Sequence, residues 1–151
     1  MKKVLLGLSF LAVAGTMSCK KEDKKGGGAS NTWKMDGTEY KADMVAVVTM
    51  ANGISVANKD GKAMAINFSA LPTASGTYKI VDDAPKAGEL FVVVTSSASA
   101  GYISTGDDNK QANVTVSDGK IRVQMTDVSV KDMVSNTTAK FSCDVLETQR
   151  N

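Results

Sequence analysis

Histidine is absent from this chain, and cysteine, proline and aromatic residues are scarce: its 151 residues include two Cys, two Pro and one Trp. Histidine is the commonest general acid–base side chain and the commonest ligand of transition metals. Its absence argues against zinc, copper and haem centres and against Ser–His or Cys–His nucleophilic pairs. The two prolines, Pro72 and Pro85, fall near predicted loops, so they do not interrupt the predicted strands.

Long apolar runs are scarce too, and the one near the N-terminus is short. It covers residues 4–13 and follows Lys2 and Lys3. At about 1.5 Å per residue, a helix of this length covers about half of a ~30 Å hydrocarbon core. The run is therefore too short for a transmembrane helix and has the form of the hydrophobic region of a signal peptide. No later segment of the sequence is long or apolar enough to span a membrane.

The residues after this run resemble the end of a bacterial lipoprotein signal peptide. Mostly small residues precede Cys19, and Ser18 supplies the small residue expected beside the scissile bond, whereas Thr16 stands where such signals usually have Leu. The resemblance implies a signal peptide over residues 1–18, cleavage between Ser18 and Cys19, and attachment of acyl chains such as palmitate to Cys19. An ordinary secretory signal with a chance cysteine is the alternative.

Residues 19–30 predict a lipid anchor followed by a flexible tether. They contain charged residues up to Lys25, then a Gly-rich stretch, and no large apolar side chain. Such a segment buries too little apolar surface to offset the entropy cost of ordering it. The triplet Lys21-Glu22-Asp23 is similar to the export signal of surface-exposed lipoproteins of the Bacteroidota, which implies display on the cell surface. A plain solvated spacer is the alternative.

The basic balance of the whole chain comes from these N-terminal segments. The chain has 18 basic and 16 acidic residues, and removal of Lys2 and Lys3 with the leader leaves 16 against 16. The tether holds four Lys and two acids, so 12 basic and 14 acidic residues remain after residue 30. A slightly acidic domain lacks the clustered basic face that nucleic-acid binding needs, so no nucleic-acid partner is expected.

The rest of the chain, residues 31–148, has the length of one domain with one core. After lipidation of Cys19, Cys143 is the only cysteine left, so the domain can form no internal disulfide. Its stability must therefore come from packing. Apolar and polar residues alternate with a period of two, which predicts β-strands throughout. Eight to ten short strands are expected among the apolar or alternating segments at residues 33–35, 39–42, 44–50, 54–57, 63–71, 76–81, 90–96, 101–104, 114–116, 121–125, 128–131 and 139–146.

Turn residues between these runs predict hairpins. Asp118-Gly119 lies between two alternating segments, and both residues tolerate the positive φ of a type I′ turn. Residues 58–61 and Asn52-Gly53 are further turn candidates. Many short strands joined by local hairpins predict an all-β fold. A single antiparallel β-sandwich is the preferred architecture, and a small β-barrel is the alternative.

Three short patterns resemble small uncharacterised lipoproteins of the Bacteroidota. They are the opening segment over residues 33–42, which contains the turn Asp36-Gly37, the triplet Gly76-Thr77-Tyr78, and the segment over residues 101–104. The resemblance extends over residues 31–147. It implies an all-β fold and an envelope location, and it implies no particular chemistry.

Acidic and nucleophilic residues give few candidates for catalysis or metal binding. Asp82-Asp83 and residues 106–109 form acidic loops, but the spacing of an EF-hand is missing, so solvated turns are preferred. Adjacent acids do not flank a cleft as the carboxylates of a glycosidase do. Residues 96–99 lack a nucleophile elbow and a His base, and Cys143 is expected in the core. No catalytic residue, metal ligand or cofactor is therefore predicted.

Methionines and aromatic rings are the remaining candidates. Met44 and Met50 have the strand parity of apolar neighbours, so the methionines of the domain are expected to fill its core. Aromatic side chains combine a large apolar surface with specific stacking geometry, as sugar- and peptide-binding surfaces require. The candidate aromatic binding patch consists of Trp33, Tyr40, Tyr78 and Tyr102.

These features together predict a lipid-anchored, non-enzymatic protein of the outer membrane, exposed at the cell surface. Its expected role is structural or the binding of a protein or glycan partner. Two alternatives stay open: a small hydrolase that acts on carbohydrates through carboxylates alone, and a periplasm-facing assembly or inhibitor protein of the envelope. Two convergent acids on a concave face would favour the hydrolase, and a flat, partly apolar sheet face would favour a protein partner.

Overall fold

A computed structural model describes residues 29–97, 100–107 and 109–150 of the chain. Within these residues the chain forms twelve β-strands and one short 3-10 turn, Thr49–Ala51, so the all-β prediction is confirmed. No helix in this part of the chain is long and apolar enough to cross a membrane. The predicted cleavage between Ser18 and Cys19, the lipidation of Cys19 and the export signal Lys21-Glu22-Asp23 lie outside the described residues.

The strands follow one another with short connections. In chain order they are β1 (Thr32–Met35), β2 (Thr38–Lys41), β3 (Met44–Val48), β4 (Gly53–Ala57), β5 (Ala63–Phe68), β6 (Gly76–Val81), β7 (Glu89–Ser97), β8 (Ala100–Ser104), β9 (Gln111–Ser117), β10 (Lys120–Asp132), β11 (Thr138–Leu146) and β12 (Gln149–Arg150).

Strands form where apolar and polar residues alternate, and the apolar face of each turns inward. In β5, Met64, Ile66 and Phe68 are buried, while the residues between them are half-buried. Successive side chains of a strand point to opposite faces, so a period of two gives each strand one apolar face. Nine strands contribute to a single core cluster, in which Trp33 and Phe141 are the largest of the fully buried side chains.

Three hairpins close on the turns that the sequence indicates. Asp118 and Gly119, between β9 and β10, have φ of +53° and +72°, and Asp36 and Gly37, between β1 and β2, have φ of +45° and +81°. Positive φ at both central residues characterises the type I′ turn, whose twist matches that of a two-stranded ribbon. Between β4 and β5, Asn58 Oδ1 accepts two backbone hydrogen bonds, at 3.0 and 2.9 Å.

All twelve strands belong to one hydrogen-bonded sheet. Its order is β12-β3-β4-β5-β7-β6-β9-β10-β11-β1-β2, and β8 pairs with both β7 and β10. The sheet closes through the chain itself, because β11 leads through Glu147 and Thr148 into β12, which pairs with β3. A closed sheet has the hydrogen-bonding pattern of the barrel alternative. Two pairs, β6–β7 and β12–β3, are parallel and differ from the antiparallel pattern that the local hairpins predict.

Glu147 stabilises the crossing of the chain from β11 to β12 with a buried carboxylate. Its Oε2 accepts a hydrogen bond from the backbone N–H of Ile121 (3.1 Å), and its two oxygens each accept one from the Arg150 guanidinium (2.8 Å). The hydrogen bonds from Arg150 lower the pKa of Glu147, so the carboxylate is ionised at neutral pH. The C-terminal end of the chain is thereby held against β10 as it crosses to β3.

The sheet forks between β7 and β10. In β7, residues 89–91 pair with β6, whereas the part of the strand after residue 92 pairs with β8. In β10, residues 120–124 pair with β9, whereas residues 130–132 pair with β8. The gap between β7 and β10 therefore holds β8 alone at one end and both β6 and β9 at the other.

Ser104, the last residue of β8, lies at this branch point and is fully buried, with 0% of its surface exposed. Its Oγ accepts a hydrogen bond from the backbone N–H of Val92 (3.1 Å) and donates one to the carbonyl of Val81, the last residue of β6. Two backbone groups that the fork would leave without ladder partners are thus satisfied by one hydroxyl. Gly106 follows with φ of +71°, and a Cβ there would lie 3.3 Å from the backbone nitrogen of Asp82.

Ser104→Ala should lower the free energy of unfolding by about 1–3 kcal/mol, because it leaves the N–H of Val92 and the carbonyl of Val81 buried without partners. Urea unfolding followed by circular dichroism measures the change. Ser117→Ala, at an exposed position of β9, is the matched control and should stay within about 0.5 kcal/mol of the parent protein. Equal stabilities of the two variants would contradict the role assigned to Ser104.

Candidate functional site

A β-bulge interrupts the pairing of β10 with β11. The register runs from Met125 opposite Cys143 to Val128 opposite Phe141, so two residues of β10, 126 and 127, face the single residue Ser142. Bulges of this kind bend a strand and re-aim its side chains. Asp127 has φ of +52° and donates its backbone N–H to Ser142 Oγ at 2.9 Å.

The bulge forms one rim of an open groove on the outer face of the sheet. The groove has a volume of about 520 Å³ and lies across β1, β2, β10 and β11. Its outward-facing side chains are polar, because they alternate with core residues along each strand. They are Thr32, Lys34, Glu39, Thr126, Asp127, Ser142 and Asp144.

A second, smaller groove lies on the other side of the bulge. Its volume is about 310 Å³, and Gln111, Asn113 and Gln124 line it together with Met125 and Thr126. The two grooves share Met125 and Thr126. Hydroxyl and carboxylate groups line the larger groove and carboxamide groups line the smaller one, and the side chain of Gln124 also hydrogen-bonds Asp144 of the larger groove.

The Arg122–Asp144 ion pair fixes one carboxylate of the larger groove. Arg122 Nε donates to Asp144 Oδ1 and Arg122 Nη2 donates to Asp144 Oδ2, each at 2.8 Å. The hydrogen bonds from Arg122 lower the pKa of Asp144, so this side chain is ionised at neutral pH. A general acid must be protonated when it acts. Asp144 is therefore unsuited to protonate a leaving group at neutral pH.

Two features leave the larger groove open to a ligand. Lys34 and Glu39 form an ion pair at 3.1 Å, but both side chains are 53% exposed, so water competes with the pair and it contributes little to stability. Asp127 is exposed, and its hydrogen bond within the described part of the chain uses its backbone N–H. Its carboxylate is accordingly available to accept hydrogen bonds from a bound molecule.

The structure corrects the candidate aromatic patch. Trp33 is 1% exposed and stacks on Tyr40, with ring centroids 5.5 Å apart, so a ligand cannot stack on the indole. Tyr78 packs edge-on against Phe68 at 5.4 Å, and Tyr102 is half-buried against the core. Trp33 therefore belongs to the core, and Tyr40, Tyr78 and Tyr102 are half-buried at its margin.

The expectation that methionines fill the core is correct for some and wrong for others. Met35, Met64 and Met125 are buried. Met50 is 99% exposed and Met133 is 57% exposed. For Met50 the parity argument fails because β3 ends at Val48 and the 3-10 turn that follows projects the side chain outward.

The acidic loops and Cys143 offer no second site. Gly106 packs on the backbone of Val81 and Asp82, which brings the two acidic loops together. Even so, the described residues contain no group of three or more Cys, Asp or Glu side chains placed to hold a metal ion. Cys143 is buried, and burial raises the pKa of its thiol, so it behaves as a core residue. The serine cluster at residues 96–99 lies partly outside the described residues.

Comparisons with known proteins give no family or relative. No protein-family model, curated protein or solved structure matches this chain. None of the polar side chains that line the larger groove is among the site residues that the sequence predicts. Their signal is a break in alternation, because Thr126 and Asp127 are consecutive polar residues between the buried Met125 and Val128.

Asp127→Gly should keep the stability of the parent protein, whereas Asp127→Val should cost about 1–2 kcal/mol, because a left-handed backbone conformation strains a residue with a branched Cβ. Asp127→Asn is the matched control, since Asn tolerates positive φ as Asp does. Thermal unfolding of the three variants gives the comparison. A Val variant as stable as the Gly variant would show that residue 127 does not hold a left-handed conformation in solution.

Proposed function

We propose that the protein is a lipid-anchored, surface-exposed protein of the outer membrane that binds a hydroxyl-rich ligand, a glycan, in the groove beside the β10 bulge. The observation that carries this proposal is the groove itself. It combines the available carboxylate of Asp127 with the hydroxyls of Thr126 and Ser142, and Gln124 and Asn113 lie across the bulge.

The chemistry of the lining supports a glycan over a protein. Sugar hydroxyls both donate and accept hydrogen bonds, as do the hydroxyl and carboxamide groups of these grooves. A protein partner usually buries large apolar side chains at the centre of its interface. The large apolar side chains that are exposed in the described part of the chain lie outside both grooves, and they are Met44, Met50, Met133 and Val134.

The proposed anchor is supported by the sequence before the domain. Cys19 follows an apolar run of signal-peptide length and precedes a charged, Gly-rich segment. Several acyl chains on one residue hold a protein firmly at a bilayer, because each buried methylene contributes about 0.8 kcal/mol. The triplet Lys21-Glu22-Asp23 supports the outward-facing orientation, and an outward-facing groove meets the glycans outside the cell.

A carbohydrate hydrolase is the second candidate, and one observation favours it. Three carboxylates, those of Glu39, Asp127 and Asp144, line the same groove. A glycosidase needs one protonated and one ionised carboxylate on either side of the scissile bond. Arg122 holds Asp144 ionised, so Asp144 is unsuited to be the protonated member of such a pair, which favours binding without turnover.

We expect the purified full-length lipoprotein in detergent to bind members of a panel of neutral and amino-sugar oligosaccharides. Asp127→Asn should weaken that binding about tenfold, because hydrogen bonds to a charged acceptor contribute about 1.5–3 kcal/mol. Isothermal titration calorimetry with the best oligosaccharide measures the loss. Asp118→Asn is the matched control, since Asp118 is also an exposed aspartate with positive φ and lies outside the groove.

Three results would count against glycan binding in the groove. Binding of no oligosaccharide in the panel would contradict it, and so would equal affinities of the Asp127→Asn and Asp118→Asn variants. Release of new reducing ends from a bound oligosaccharide, abolished by Asp127→Asn, would replace the binding proposal with the hydrolase.

Cys19→Ala should move the protein from the membrane fraction to the soluble fraction and abolish its labelling by radioactive palmitate, because it removes the acylated thiol. Cys143→Ala is the matched control and should leave both properties unchanged. Fractionation and protease treatment of intact cells provide the measurements. Membrane association of the Cys19→Ala protein would contradict the anchor, and digestion by protease only after lysis would contradict the surface location.

A further inference from the structure

The larger groove runs across the strands rather than along them. Its floor is formed by Met125, Cys143 and Trp33, which face one another in register on β10, β11 and β1. The side chains of all three residues are buried, so it is their backbone that faces the groove. A molecule that lies along this floor therefore crosses the strands one after another.

Two rows of outward-facing residues form the walls of this groove. On one side, Asp144 of β11 lies opposite Thr32 of β1. On the other side, Ser142 lies opposite Lys34, and Lys34 lies opposite Glu39 of β2. The β10 bulge faces Ser142 and extends this second row by one strand. Each strand that the groove crosses thus adds polar groups to its walls.

The first of these rows continues into the smaller groove. Gln124 of β10 lies opposite Asp144, and Asn113 of β9 lies opposite Gln124. The side chain of Gln124 also hydrogen-bonds the Asp144 carboxylate, so a residue of one groove contacts a residue of the other. Where the grooves meet, both are lined by Met125 and Thr126. The two grooves are therefore parts of one continuous groove across the strands, which we call the transverse groove.

Polar residues recur along the transverse groove once per strand. Neighbouring strands are about 4.8 Å apart, so the five adjacent strands β9, β10, β11, β1 and β2 give the groove a length of roughly 19 Å. One sugar unit of an extended oligosaccharide has a length close to this strand spacing, so successive units meet successive polar residues. An extended peptide presents the side chains of one face about every 6.6 Å, which does not match the spacing.

The two parts of the transverse groove differ in charge. The larger groove contains the carboxylates of Asp127 and Asp144 and the Lys34–Glu39 ion pair, whereas the polar side chains of the smaller groove are uncharged. Hydrogen bonds to charged groups are stronger than those between neutral groups. A short ligand should therefore occupy the larger groove first, and the smaller groove should be filled by the additional units of a longer ligand.

We propose that the ligand of the transverse groove is a linear chain of about four sugar units that fills the larger groove, crosses Met125 and extends into the smaller groove. The inference rests on the proposed binding of a glycan beside the bulge, and it adds the length and the course of that glycan. Asp127 contacts units in the larger groove, and Asn113 contacts a unit that only the longer chains possess.

Isothermal titration calorimetry of the full-length lipoprotein with cello-, malto- and chito-oligosaccharides of one to six units tests this course. In the series that binds best, the affinity should rise at least about tenfold from the disaccharide to the tetrasaccharide, because the added units reach the carboxamides of the smaller groove. The further rise from four to six units should be small.

Asn113→Ala should weaken binding of the tetrasaccharide about fivefold and leave binding of the disaccharide unchanged, which also shows that the variant is folded. Asp127→Asn should weaken binding of both. Ser117→Ala is the matched control, since Ser117 is an exposed residue of β9 that lines neither groove, and it should change neither affinity.

Two kinds of result would overturn the inference while glycan binding stands, as shown by weaker binding of the Asp127→Asn variant. One is an affinity that stops rising at the disaccharide, or that rises as steeply from four to six units as from two to four. The other is an Asn113→Ala variant that weakens no oligosaccharide or weakens every length equally. Binding of no member of the three series, or binding that Asp127→Asn leaves unchanged, would refute glycan binding in the groove and the inference together.

Discussion

The buried hydroxyl of Ser104 is the contact on which the course of the sheet depends. β7 and β10 are separated by one strand at one end and by two strands at the other, and such a fork leaves backbone groups without ladder partners. Ser104 Oγ accepts from Val92 and donates to Val81, so the fork forms with both groups satisfied. Glu147 has a similar role where the chain crosses from β11 to β12, because its carboxylate accepts a hydrogen bond from the backbone N–H of Ile121.

The proposed binding site arises from a third departure from the regular ladder. At the β10 bulge, Thr126 and Asp127 face Ser142 alone, and the extra residue raises a polar rim above the outer face. The surrounding strands are held by the closed sheet, so the site is built on rigid elements. Arg122 fixes Asp144 in the same groove, while the carboxylate of Asp127 is left for a ligand. Interruptions of the ladder thus shape both the fold and the candidate site.

Much of the fold was predictable because its signals are local. Asp118-Gly119 and Asp36-Gly37 adopt the positive φ expected of hairpin turns, and the alternation in β5 places Met64, Ile66 and Phe68 in the core as expected. The candidate site was not predictable in the same way. Trp33 is a residue type that often forms binding surfaces, but it lies in the core. Met50 has the strand parity of a core residue, but its side chain is exposed. Parity along a strand cannot show where the strand ends or which of its faces a closed sheet turns inward.

The sequence by itself determined the all-β fold, the hairpins, the absence of any histidine chemistry and the expectation of an N-terminal lipid anchor, because each depends on residues close together in the chain. Only the tertiary structure decided the closure of the sheet, the two parallel pairs and the groove beside the bulge. These features join residues far apart in sequence, such as Arg122 with Asp144 and Ser104 with Val81. Such contacts depend on the register between strands. The alternation of apolar and polar residues does not fix that register, because a shift of a strand by two residues keeps the same apolar face inward.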